Sequence, residues 1–333
     1  MAEAGPHRDK TGRGIAAGSI AGALFALGLY LAALRLHPDS GLVLISVMLI
    51  PTAACALAVI VAGVRGPGSG GRAFSLSAWV VTILLVFAAV LLREGAICIA
   101  MAAPIFYPLG ILGGLLATVF GRPDGKSGSA SLVVLLPVVL LPIEEPAIYP
   151  TARHVVTTQI EIAAPLETVW REAIEIRDVA ESEQQRTFTH DLLRVPRPTD
   201  ARLVQRGDQV VRAATWRGDV RFYEVITEWR QSQTVAWQFE IPEAAADRLL
   251  DHHLRLDEQY LRLDGGRYTL EAIAPERTRL TLSTTYSTRT PFNAYAEAWG
   301  DLFLGDIHRN VLGIVRMRSE AQRSTRNDGT ARD

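Results

Sequence analysis

His190 follows Phe188-Thr189 and precedes Asp191. An imidazole changes charge near neutral pH, so a histidine facing a cavity can act as a general acid or base. Hydrogen-bonded in a core, the same residue serves structure alone, which is its commoner use. Further on, Asp251, His252 and His253 stand together, with Glu258 beyond them. Neighbouring residues of a strand point to opposite faces, so these two histidines do not share a metal ion. No ligand group of zinc spacing accompanies them, and they read as a surface loop. Asp301, Asp306 and His308 fall near the end of the chain. Asp306 lies nearest an apolar stripe, where a carboxylate either edges a helix or enters a cavity. No metal site is expected and no cofactor motif is present.

Aromatic residues crowd the same half of the chain. Trp216, Tyr223, Trp229, Trp237, Phe239, Tyr260 and Tyr286 lie in segments that read as strands, and Trp299 and Phe303 in one that reads as a helix. Such side chains line an apolar ligand pocket or fill a core. The candidate cavity set is Trp216, Tyr223, Trp237, Phe239 and Tyr286 from the strands, with Trp299 and Phe303 from the helix.

The elements that carry these residues follow from periodicity. Val155–Ile162 alternates and is rich in β-branched residues, a strand signal, and Ala163-Ala164-Pro165 ends it. Pro165 suits the first turn of a short helix whose apolar stripe is Val169, Trp170 and Ala173. A second, mostly polar helix is expected near Glu175–Gln184. Gln209–Thr215, Val220–Glu228 and Thr234–Glu240 are strands joined at Arg217-Gly218-Asp219 and Arg230-Gln231-Ser232. His253–Leu263, Gly266–Ala274 and Arg279–Ser287 form a meander turning at Asp264-Gly265-Gly266 and Pro275-Glu276-Arg277. From Phe292 to Met317 the apolar spacing becomes three and four, one long amphipathic helix. The polar tail, 321–333, is expected to be disordered.

A curved antiparallel sheet wrapped around one long C-terminal helix leaves a cavity between them. The segment Gln159-Ile160-Glu161-Ile162-Ala163-Ala164-Pro165-Leu166-Glu167-Thr168-Val169-Trp170 resembles the opening of the SRPBCC superfamily, the helix-grip fold of START-like and polyketide cyclase-like proteins. The resemblance covers residues 153–320. It implies a cavity between sheet and helix, and functions that range from lipid carriage to cyclase chemistry. No Rieske Cys/His pattern is present, which excludes the oxygenase branch. Fold likeness alone does not choose among the others.

The first 143 residues are of another kind. Five runs contain no charged side chain: 14–34, 41–64, 73–92, 95–121 and 127–143. A bilayer core of about 30 Å takes about 20 apolar helical residues. The fold class is therefore an α-helical transmembrane region of four to five helices, 14–143, followed by an α+β helix-grip domain, 153–320. A tail, 1–13, precedes them and a linker, 144–152, joins them. The fourth run, with Pro104, Pro108, Gly110, Gly113 and Gly114, is expected to be kinked or re-entrant. Its glycines offer a close-packing face and a route to a homo-oligomer. No run carries the interior charges of an ion pathway, so a transporter is not expected. Arg93-Glu94 reads as an interfacial turn.

Basic residues in the flanks alternate: Arg8, Lys10 and Arg13; Arg35; Arg65 and Arg72; Arg93; Arg122 and Lys126; then Arg153 after Glu144 and Glu145. The positive-inside rule places the N-terminus in the cytoplasm, of a bacterial plasma membrane in this reading. If 127–143 crosses, the soluble domain is extracytoplasmic, the preferred topology; if it only dips in, the domain is cytoplasmic. After residue 143 there are 25 Arg, no Lys and 30 acidic residues. That balance argues against a nucleic-acid partner, and the missing lysines exclude Schiff-base chemistry there. The only cysteines, Cys55 and Cys98, lie in apolar runs.

The preferred function is a membrane-anchored protein that binds a lipid or another hydrophobic small molecule. The alternatives are a cyclase/dehydratase-like enzyme using His190 or a cavity acid, and a regulatory or structural membrane protein without a ligand.

Overall fold

The computed structural model describes residues 7–36, 44–66, 68–91, 95–120, 128–143, 149–242, 245, 261–290 and 292–330. His252, His253, Tyr260 and the Arg93-Glu94 pair lie outside the described residues. The chain separates into two compact units, one within residues 1–148 and one largely of residues 149–333.

An uncharged run in an apolar medium has to satisfy its backbone polar groups internally, and a helix does so within one segment. The first unit holds five described helices: α1 (His7–Leu36), α2 (Leu44–Val61), α3 (Gly70–Leu91), α4 (Ala96–Phe120) and α5 (Gly128–Leu140). Gly12–Ala33, Gly70–Val90 and Ala96–Phe120 are long and apolar enough to cross a membrane. Small residues set the packing. Gly14, Gly18 and Gly22 of α1 lie against Ala62, just past α2, and Ala58 and Ala54 within it, so the two helices run antiparallel at close range. Gly110, Gly113 and Gly114 of α4 lie against Thr52 and Cys55 of α2 and Ser77 and Val81 of α3. This corrects the expectation that the α4 glycines serve a homo-oligomer: that face is filled by helices of the same chain. Helix α4 is also continuous, with Pro104 and Pro108 inside it. Hydroxyl contacts join the helices, Thr82 Oγ1 to Tyr107 Oη at 2.8 Å and Thr52 Oγ1 to the Leu109 carbonyl at 3.2 Å.

The second unit is built on β1 (Ala152–Ile162), where inward residues alternate with exposed ones. There follow α6 (Leu166–Ile174), a 3₁₀ turn (Glu181–Glu183), the single-turn helix α7 (Phe188–Asp191), and strands β2 (Pro198–Arg206), β3 (Gln209–Trp216), β4 (Val220–Arg230), β5 (Thr234–Glu240), β6 (Leu261–Ala274) and β7 (Arg277–Thr288). Helix α8 (Asn293–Thr330) ends the unit. The sheet order is β1-β7-β6-β5-β4-β3-β2, antiparallel throughout. A single sheet in this order with α6 and α8 over one face is the helix-grip fold.

Several local expectations change. Strand β2 was not expected: Pro198, Asp200 and the arginines are poor strand formers, but an edge strand tolerates a leading proline. The Asp264-Gly265-Gly266 tripeptide lies inside β6 as an irregularity in the register, not at a turn. Glu175–Gln184 is not a helix. Ile176 exchanges backbone hydrogen bonds with Ala201, and Val179 donates to Thr199, so this segment follows β2. Helix α8 continues through most of the tail expected to be disordered.

The core of the second unit lies between sheet and helix. Ile162, Val169, Trp170, Val235, Tyr268, Leu280, Leu312 and Val315 are buried together. Their burial is the main stabilising contribution, at about 25 cal/mol per Å² of apolar surface.

Candidate ligand site on the inner face of the sheet

Cross-strand register decides which side chains share the inner face. Arg212 on β3 is opposite Glu224 on β4, and Glu224 is opposite Phe239 on β5. Trp237 on β5 is opposite Gly266 on β6, and two residues on from Gly266, Tyr268 is opposite Leu282 on β7. Stepping by two along each strand brings Trp216, Phe222, Phe239, Trp237 and Tyr268 into one aromatic row. Their centroids are 5.7, 6.2, 6.3 and 5.2 Å apart in that order. Three expected cavity residues, Trp216, Trp237 and Phe239, therefore meet.

The other expected residues fall elsewhere. Tyr223 alternates to the opposite face of β4 from Glu224 and carries the Arg206 guanidinium 4.8 Å above its ring. Tyr286 lies in the seam between β7 and α8. It stacks on His154 at 5.0 Å, donates to the Glu297 carbonyl at 3.3 Å, and sits where a side chain at Gly300 would collide with it. Burial, with Asp301 and Glu297 nearby, pushes its phenol up to about 12. The Trp299 and Phe303 rings lie 5.2 Å apart, tilted to one another, along one half-exposed side of α8.

Beside the aromatic row is a buried ion pair that sequence reasoning missed. Arg212 Nε donates to Glu224 Oε2, and both side chains are buried. Arg212 Nη1 also donates to the Ala173 and Ile174 carbonyls, at 3.1 and 3.4 Å. These close the C-terminal end of α6, where the helix dipole favours a cation. The guanidinium lies 4.6 Å from the Trp237 ring and 5.4 Å from Tyr268. Burial opposes its charge, but Glu224 and Tyr268 outweigh that and hold its pKa above the ordinary arginine value. The signal was present in β4: Val220, Phe222, Glu224 and Ile226 share one face at period two, so Glu224 interrupts an apolar stripe.

Trp237 is 4 % exposed, and among the described residues its indole N–H has no hydrogen-bond partner. Its ring lies across Gly266, where any side chain would collide with it. A buried donor left unpaired costs about 1–3 kcal/mol.

His190 is buried in the 187–197 segment. Thr189 N donates to Asp306 of α8 at 2.8 Å, and Arg217 N, at the end of β3, donates to the Arg197 carbonyl at 2.8 Å. His190 Nδ1 is 2.9 Å from the Val195 carbonyl. A carbonyl only accepts, so Nδ1 carries the proton and Nε2 presents a lone pair. Nε2 has no partner among the described residues, nor does the Thr189 hydroxyl. Burial lowers the His190 pKa, and Arg197 lowers it further.

Asp306 is a clip between elements. Burial pushes its carboxyl up, but the Thr189 backbone N–H and Arg309 outweigh this and hold it below the usual range. His308 is buried between Thr158 on β1, 3.1 Å from Nδ1, and Thr284 on β7, 2.8 Å from Nε2. Among the described residues no three His, Cys, Asp or Glu side chains gather to hold a metal ion.

No protein-family model and no curated protein sequence matches this chain. Among solved structures it is similar to the Zhui aromatase/cyclase from Streptomyces sp. R1128, with 14% identity over 53% of this chain and 96% of that one, at a TM-score of 0.31. It is also similar to a START superfamily protein from Mycobacterium smegmatis, with 10% identity over 51% of this chain and 99% of that one, at 0.32. The norcoclaurine synthase from Thalictrum flavum, at 12% identity, aligns with 50% of this chain and 94% of its own, at 0.31. The fold assignment stands on the strand order and the helix positions.

Proposed function

We propose that the second unit binds a hydrophobic small molecule, a lipid or an aromatic compound, against the inner face of its sheet, and that the apolar helices hold it at a membrane. The observation that carries this reading is the buried Trp237 N–H, without a partner among the described residues, within a row of aromatic rings. An apolar site with one or a few fixed polar groups is the usual make-up of a small-molecule pocket. A ligand acceptor at that N–H removes the cost of leaving it unpaired. The N-terminus is cytoplasmic and the ligand-binding unit extracytoplasmic in this proposal, which rests on the charge pattern of the flanks and on where α5 ends.

The test is photo-crosslinking of the full chain in lipid nanodiscs with benzophenone, a neutral aromatic ketone. Labelled peptides should come from 235–239, 266–270 and the facing part of α8, and W237F should reduce that labelling. Labelling confined to residues 7–143, or scattered over the exposed strand faces, sinks the proposal.

A further inference from the structure

The charge of the ligand follows from how the buried ions of the inner face are already used. Arg212 is the guanidinium against the Trp237 ring, and it donates to Glu224 and to the last carbonyls of α6, with the Tyr268 ring 5.4 Å away. Glu224 in turn is 7 % exposed and spent on Arg212. The pair is neutral as a whole, so an incoming anion meets no net positive charge. To take Arg212 for itself, an anion would have to leave Glu224 buried without a counter-ion, which is strongly unfavourable. What the site offers instead is one neutral donor, Trp237 Nε1–H. A single N–H is enough for a carbonyl or ether oxygen and too little for a desolvated carboxylate.

We infer that this site selects an uncharged aromatic or lipid ligand bearing a hydrogen-bond acceptor, and rejects its carboxylate analogue, because Glu224 neutralises Arg212 and leaves Trp237 Nε1–H as the recognition group. The inference rests on the proposed binding function and adds the ligand's charge and the group that reads it.

Three probes of one skeleton separate the cases: 2-acetonaphthone, a neutral acceptor; 2-naphthoate, nearly the same shape with a full charge; and 2-ethylnaphthalene, with no acceptor. Each competes against benzophenone labelling of the full chain in nanodiscs at about pH 7.5, where the naphthoate is ionised. The ketone should compete about tenfold better than either of the others. W237F should abolish its advantage over ethylnaphthalene. E224Q exposes an uncompensated guanidinium and should raise naphthoate competition about tenfold or more.

Naphthoate matching the ketone on the wild-type chain overturns the inference, as does ethylnaphthalene matching it. The wild-type ranking decides the matter even if E224Q fails to fold. Benzophenone labelling of the inner face with the wrong ranking leaves the binding function standing. Absence of labelling there removes the binding function itself, and the inference with it.

Discussion

His308 stands where a proton is costly. It is enclosed by α8, β1 and β7 and held by two threonine hydroxyls. A neutral imidazole satisfies both as one donor and one acceptor. Burial, with Arg309 alongside, pushes its pKa down from 6.5 to about 4. The unfolded chain therefore binds this proton at a higher pH than the folded chain does. Stability from His308 is complete above about pH 6.5 and is lost as pH falls through about 4, a difference of about 3 kcal/mol. His190 is shifted in the same direction. Thermal unfolding of the full chain should thus shift to lower temperature from pH 6.5 to 4, and H308Q should flatten most of that slope. An equal slope in H308Q would assign it to other groups. The Arg212–Glu224 pair makes a second prediction. R212M or E224L alone leaves one buried charge and should cost about 3–5 kcal/mol, whereas R212M combined with E224L should cost much less. Denaturant titration of the four proteins measures the coupling. Glu224 was legible from its place in a period-two apolar stripe. Arg212 was not, because Val210 and Ala214 on its own face, with Val211 and Ala213 on the other, make β3 apolar on both faces and hide its phase.

At the scale of elements, close approach by glycine decides more than hydrophobicity does. A side chain at Gly18 would collide with the Ala58 carbonyl, whereas Gly28, on the same helix, has open space beside it. G18L should therefore destabilise the α1–α2 pair by about 1–3 kcal/mol, with G28L near neutral. Melting in a mild detergent compares them, and equal effects would show that the helices do not pack through this stripe. The sequence pattern revealed β1, β3, β4, β5, β7 and the long helix, because each has alternating or three-and-four spacing over most of its length. It missed β2, whose pairing is supplied by β3 and not by its own residues. It split β6 at Asp264-Gly265-Gly266, because Gly266 serves the ring of a residue on another strand, which no local rule detects. The aromatic row was legible as composition, but its membership depended on register: Tyr223 differs from Glu224 by one position and so leaves the face.

For the whole molecule, the element on which the proposed topology turns is α5, the last helix before the second unit. Its 13 residues rise about 20 Å, which alone is short of a bilayer core. Its surroundings argue further. The antiparallel contacts of Gly14, Gly18 and Gly22 with Ala62, Ala58 and Ala54 put the start of α1 beside the end of α2. Leu141, just past α5, is buried with Ala26, Leu29 and Ile50, well along α1 and toward the start of α2. That level is about 20 Å from Gly14 along the helix. Helix α4 ends at Phe120, and its Leu115 is the near neighbour of Gly70 at the start of α3, so α5 begins within eight residues of the opposite end of the bundle. In the proposed topology the chain enters α5 on the side of the basic N-terminus and leaves it on the other. Replacing Cys55 and Cys98 by Ala and adding single cysteines at Ala2 or at the exposed Asp208 tests this with a membrane-impermeant maleimide on intact spheroplasts. D208C should label and A2C should label only after lysis. The reverse pattern would invert the whole protein, and protection of both until lysis would mean that α5 turns back and that the ligand is drawn from the cytoplasm.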